Sequence, residues 1–126
     1  MPDVVDDDAC EPQVFEPDDF EWHDGNLVDL HVTGLAGGRQ EMRLTIDIYV
    51  ERHPQAQRKR YVCVSSGLKR FLVSGNVARI ADASHSGNID FARRNWTDGT
   101  EILLVVLFGG MIEAEASSFE FTEIHS

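Results

Sequence analysis

The chain has 126 residues, 42% of them hydrophobic, and a formal charge of −11. That length suits one domain with a sizeable core, and the negative charge opposes nucleic-acid binding, which needs a positive field to release counterions. The longest apolar run, Ile102–Phe108, is too short to span a bilayer as a helix, so no membrane association is expected. Cys10 and Cys63 are the only cysteines. No basic segment precedes an apolar run at the N-terminus, so the chain reads as a cytoplasmic protein without a signal peptide or disulfide framework.

The charge is segregated. Residues 1–30 hold eleven acids and no Lys or Arg, and the other 96 residues hold eleven of each sign. Residues 1–19 contain Pro2, Pro12 and Pro17, many carboxylates and few large apolar side chains. Repulsion and the lack of buriable surface leave nothing to offset the entropy of ordering, which predicts an acidic disordered tail over 1–19 and a single β-rich domain over 20–126. Phe20 and Trp22, with Val14 and Phe15 before them, mark where the tail begins to dock.

In Leu27–Val32, Val28, Leu30 and Val32 alternate with Asp29 and His31. In Glu41–Val50, Met42, Leu44, Ile46, Ile48 and Val50 alternate with Arg43, Thr45, Asp47 and Tyr49, a sustained period of two. The glycine-rich Gly34–Gly38 connector predicts an antiparallel hairpin between them. Glu51–Arg60 has no apolar period and reads as a loop. Tyr61–Ser65 and Leu68–Ser74 read as strands about a bend at Gly67. Gly75–Ala83 fits helical spacing weakly, and Ser84–Asn88 has the composition of a turn. Ile89–Trp96 reads as a polar edge strand able to add to a neighbouring chain, so self-assembly through that edge is one expectation.

Glu101–Phe108 and Met111–Ala116 flank Gly109-Gly110, which suits a primed hairpin turn opposing Phe108 to Met111 and Leu107 to Ile112. Leu103, Val105, Leu107, Ile112, Ala114 and Ala116 then share one face. Leu104, Val106 and Phe108 on the other predict a strand covered on both sides. Ser118–Ile124 alternates Phe119 and Phe121 outside that ladder. The fold class expected is mainly β: an antiparallel sandwich or partly closed barrel of six or seven strands, with at most one short helix.

Candidate sites are few. Trp22-His23-Asp24-Gly25 stands where tail meets domain; a His beside a carboxylate is an acid–base or ligand pair, and the same four residues also make a turn with Gly25 at positive φ. Parity places Asp29 and His31 on the same face as Arg43, Thr45 and Asp47, predicting a polar patch in which Asp29 meets Arg43 and His31 meets Asp47. Trp22, His23, Asp24, Asp29, His31, Arg43 and Asp47 are therefore the candidate binding residues. No spacing of His, Cys and carboxylates resembles a metal site, and no phosphate-binding glycine loop or nucleophile elbow is present, so neither cofactor nor catalytic residue is assigned. Ser65, Ser66 and the Ser84-His85-Ser86 run lack hydrolase spacing, and Cys63 reads as a small hydrophobe within a strand. Arg52, His53, Arg58, Lys59 and Arg60 form a basic loop on which the acidic tail would dock.

The box Trp22-His23-Asp24-Gly25 leading into Leu27–Val32, with the Ser86-Gly87-Asn88-Ile89 turn and the Gly109-Gly110 hairpin, resembles the layout of small uncharacterised bacterial β-rich families. Some of these are similar to immunity proteins that neutralise toxins. The resemblance implies a non-catalytic protein-interaction module, and the polyanionic arm implies a basic protein partner. The alternative is a small-ligand-binding domain or minor enzyme with a cleft using His23, His31 or His85.

Overall fold

The computed structural model describes residues 20–49, 57–81 and 87–124. In chain order these form β1 (Glu21–Thr33), β2 (Glu41–Tyr49), β3 (Lys59–Ser66), β4 (Arg70–Gly75), α1 (Val77–Ile80), β5 (Ile89–Thr97), β6 (Thr100–Leu107), β7 (Gly110–Ala116) and β8 (Ser118–Glu123). The strands make two antiparallel sheets, in the orders β1-β2-β3-β8 and β4-β7-β6-β5, a mainly β sandwich and not a closed barrel. Eight strands stand among the described residues where six or seven are expected, and the chain changes sheets at the two breaks the sequence marks, Gly67 and Ser117.

Period-two alternation builds the core. Met42, Leu44, Ile46 and Ile48 of β2 are fully buried, and they meet Leu103, Val105, Ile112 and Ala114 of the second sheet. In β3 the inward set is Tyr61, Cys63 and Ser65, while Val62 and Val64 face outward and are half-buried. Phe20, Trp22, Tyr61 and Phe121 close the core at the start of β1, with ring centroids 4.9 to 6.0 Å apart.

One two-stranded ribbon belongs to both sheets. β3 pairs with β8 and β4 with β7, and the ladder is carried around the corner by Ser117 N–H to Ser66 O (2.8 Å) and Lys69 N–H to Glu115 O (2.8 Å). Gly67 sits at that corner with φ +65, and a Cβ there would stand 2.6 Å from Ser117 Oγ. The opposite seam, between β1 and β5, is joined by side chains instead. Asn88 Oδ1 accepts from Leu27 N–H (2.6 Å), Asn88 Nδ2 donates to Leu27 O (3.2 Å), and Asn26 Oδ1 accepts from Asn88 N–H (3.1 Å).

Three local expectations are corrected. A bulge between Leu27 and Asp29 turns Val28 out to 45% exposure, so Leu27 joins Leu30 and Val32 against the core. The positive-φ residue of the turn box is Asp24 (φ 70), while Gly25 is buried against Ile48. The β6–β7 turn is Phe108-Gly109, not Gly109-Gly110, so Leu107 opposes Gly110 and Val105 opposes Ile112. Gly110 is needed elsewhere: a Cβ on it would lie 2.4 Å from Ser74 O in β4. The slip moves the register by two, so both faces keep the residues expected of them. Gly75–Ala83 does hold a helical turn, α1, capped by Asn76 Oδ1 accepting from Arg79 N–H (3.1 Å). His85, Cys10, Val50, the 1–19 tail and residues 51–56 of the basic loop lie outside the described residues, and Lys59 and Arg60, read as the end of that loop, instead open β3.

Candidate functional site

The seven candidate binding residues do not form one site. Trp22 is buried, edge-on to Phe20 and Phe121, and belongs to the core. His23 stands at the β1–β5 seam, where its Nδ1–H donates to Asp90 O (3.0 Å) and its ring lies edge-on to Phe108. Its Nε2 is 3.6 Å from Asp24 Oδ1, and its Nδ1 is 3.6 Å from Asp90 Oδ1. The bond to the Asp90 carbonyl holds the imidazole pKa above its ordinary value; burial opposes it, and the weaker fields of Asp24, Asp90 and Glu21 add to the rise. Asp24 presents its carbonyl to Arg58, which donates from Nε (3.1 Å) and Nη2 (2.7 Å) while its guanidinium lies over Tyr49.

Asp29, His31 and Arg43 do share the outer face of the first sheet. With Thr33 and Glu41 they line an open depression of about 330 Å³. The register differs from the pairing expected: Asp29 opposes Thr45 and His31 opposes Arg43. Arg43 bonds Glu41 (3.0 Å). Asp47 lies farther along β2, where Arg60 grips it with Nε–Oδ1 at 2.8 Å and Nη2–Oδ2 at 2.9 Å. That fork, chiefly its hydrogen bonds, lowers the Asp47 pKa. His23 and His31 lie on different parts of β1, His23 in its irregular first half at the β5 seam and His31 beyond the Val28 bulge opposite Arg43. They converge on no common cleft. Among the described residues no group of three or more His, Cys, Asp or Glu side chains is placed to hold a metal ion.

The second sheet carries a surface feature that these candidates omit. Its outward residues form a grid read from the register: Phe91, Val106, Met111 and Ser74 in one row, Arg93, Leu104, Glu113 and Leu72 in the next, Asn95, Ile102, Glu115 and Arg70 in the third. Half the grid is apolar, and no described strand or helix packs over it. Phe91 and Leu72 are 38% and 46% exposed. The expected cover over Leu104 and Val106 is not supplied by any described strand or helix, and both are half-buried. The charges are unevenly placed. Arg70 takes both carboxylates of β7, Glu115 at 2.7 Å and Glu113 at 3.3 Å. Arg93 lies over the Phe91 ring and has no carboxylate partner among the described residues.

Sequence reasoning also misses a buried ion pair. Arg94 and Glu101 face inward from β5 and β6 and bond each other, and Glu101 Oε1 accepts from Phe119 N–H of β8 (3.2 Å). Arg94 lies under the exposed Trp96 ring. Glu101 is the second residue of β6, its neighbours at i+2 and i+4, Leu103 and Val105, are core residues, and that parity is the signal that places it inside. Cys63 is fully buried, and desolvation, reinforced by Glu101, pushes its thiol pKa well up, which excludes it as a ready nucleophile. No helix among the described residues is long and apolar enough to cross a membrane. No family model, curated protein or solved structure matches the chain.

Proposed function

We propose that this chain is a non-catalytic protein-interaction module of the cytoplasm that engages a basic protein partner, in the manner of the immunity-like families its turn box resembles. The observation that carries the proposal is the segregation of charge, eleven acids and no Lys or Arg over residues 1–30. The described end of that stretch supports it. Asp29 is exposed on β1, and the carboxylates of Asp24 and Glu21 add to the rise in the His23 pKa that its bond to the Asp90 carbonyl leads. A polyanionic segment joined to a formally neutral domain raises the rate of encounter with a cationic protein and leaves the domain to fix specificity. The buried free thiol of Cys63 accords with a reducing compartment.

Affinity capture from lysate of the source cell tests this, with the full chain and a chain lacking residues 1–19 as baits. The full chain is expected to recover a basic protein, and truncation or added salt to reduce its yield. Recovery of the same protein unchanged by both would remove the role of the acidic stretch. Empty captures with both baits would overturn the proposal.

A further inference from the structure

The outer face of the β4-β7-β6-β5 sheet points to a second copy of this chain: we infer that the protein is a two-fold dimer through that face, with the axis running along β6. This goes beyond the basic-partner reading and is independent of it.

The argument starts from the grid. Its middle column, Ile102, Leu104 and Val106 on β6, is apolar, and its flanks are unlike: β5 contributes Phe91, Arg93 and Asn95, and β7 contributes Met111, Glu113 and Glu115. Arg93 makes the β5 flank positive. On the other side two carboxylates share the single cation Arg70, which leaves an excess negative charge. The face is neutral in sum and dipolar across β6. Adjacent strands are about 4.8 Å apart and stacked sheets about 10 Å, so residues directly opposed across an interface meet, whereas those two columns apart are offset by about 10 Å.

Two in-plane two-fold axes are available to sheets packed face to face. An axis perpendicular to the strands lays β5 on β5 and opposes Arg93 to Arg93, which repels. An axis along β6 lays each β5 on the partner's β7. It opposes Arg93 to the partner's Glu113 and Phe91 to the partner's Met111, and stacks Ile102, Leu104 and Val106 on their own copies. Every contact is then made twice, as isologous symmetry requires. Aligned sheets cross by about 30°, which leaves pairs beside the central Leu104 in reach of each other. The charge pattern therefore selects the axis, and the apolar column supplies the buried surface. A foreign partner would have to reproduce the same alternation; the chain already carries it.

Sedimentation of the full chain over a range of concentrations provides the test, with far-UV spectra showing that each variant is folded. The wild type is expected to dimerise. R93E and E113R each place like charges at both symmetric contacts, and each alone is expected to weaken the dimer at least about tenfold. Mixed together, the two single variants regain both opposite-charge contacts and are expected to form a heterodimer; the R93E/E113R double variant is expected to recover self-association. A strictly monomeric wild type overturns the inference, whether or not capture finds a basic partner. A dimer indifferent to both substitutions also overturns it, by placing the contact elsewhere. A monomer that binds a different protein in a manner sensitive to R93E assigns the face to that protein and overturns the dimer. Empty lysate captures beside a charge-swap-sensitive dimer would leave this inference standing while the basic-partner reading falls.

Discussion

His23 shows how one side chain can report its surroundings. The Asp90 carbonyl can only accept, so Nδ1 must carry the proton in the 3.0 Å bond, and three nearby carboxylates favour a second proton on the ring. A folded-state pKa above the unfolded one means that His23 stabilises the fold fully below the unfolded value, near 6.5. The contribution is lost as pH rises through the folded value. His23→Gln should therefore cost stability in mildly acidic solution and progressively less as pH rises past neutrality, measured by urea midpoints over a pH series. With 57% of the side chain exposed the effect is small and should shrink with salt. The His and its adjacent acid are legible in the sequence. The Asp90 carbonyl is not, because it arrives from 67 residues away through the pairing of two strand ends.

At the level of elements, alternation is the part of the fold that sequence makes plain. A period of two in Glu41–Tyr49 can bury only one face, and β6 and β7 likewise alternate buried with half-buried residues. Bulges escape this reading, since one extra residue at Val28 leaves composition unchanged and moves the inward set. The β5–β6 hairpin carries a readable signal of another kind. Asp98 and Gly99 take φ of 49 and 75, the two positive values of a primed turn for which Asp-Gly is the favoured pair. Gly109-Gly110 offers an equally good turn and is displaced because β4 must pass close to Gly110, a tertiary demand absent from any local window. Glu101 joins three elements: it faces Arg94 of β5 from β6 and stops an outward N–H of β8. Glu101→Ala would leave the Arg94 guanidinium without its buried carboxylate and Phe119 N–H without that acceptor. Breaking a buried pair in this way costs about 3–5 kcal/mol, so the urea midpoint should fall steeply. A fall no larger than that of an exposed substitution such as Glu120→Ala would show the pair to be solvated.

For the whole molecule, the two interactions proposed here respond to salt in opposite directions. A dimer brings together two chains of charge −11, and their long-range repulsion is opposed by two Arg93–Glu113 contacts beside an apolar column. Raising ionic strength from about 0.01 to 0.1 M shortens the screening length from about 30 to 10 Å. That removes most of the long-range repulsion between two chains of net negative charge, while contacts across a closed interface are screened much less. Attraction between the acidic stretch and a basic partner is lost over the same range, because it acts across solvent. The dimer is therefore expected to tighten or hold as salt rises while capture of the basic protein weakens, read by sedimentation and by yield in matched buffers. If both weaken in parallel, self-association runs through the acidic stretch, and the apolar face of the second sheet takes no part in it.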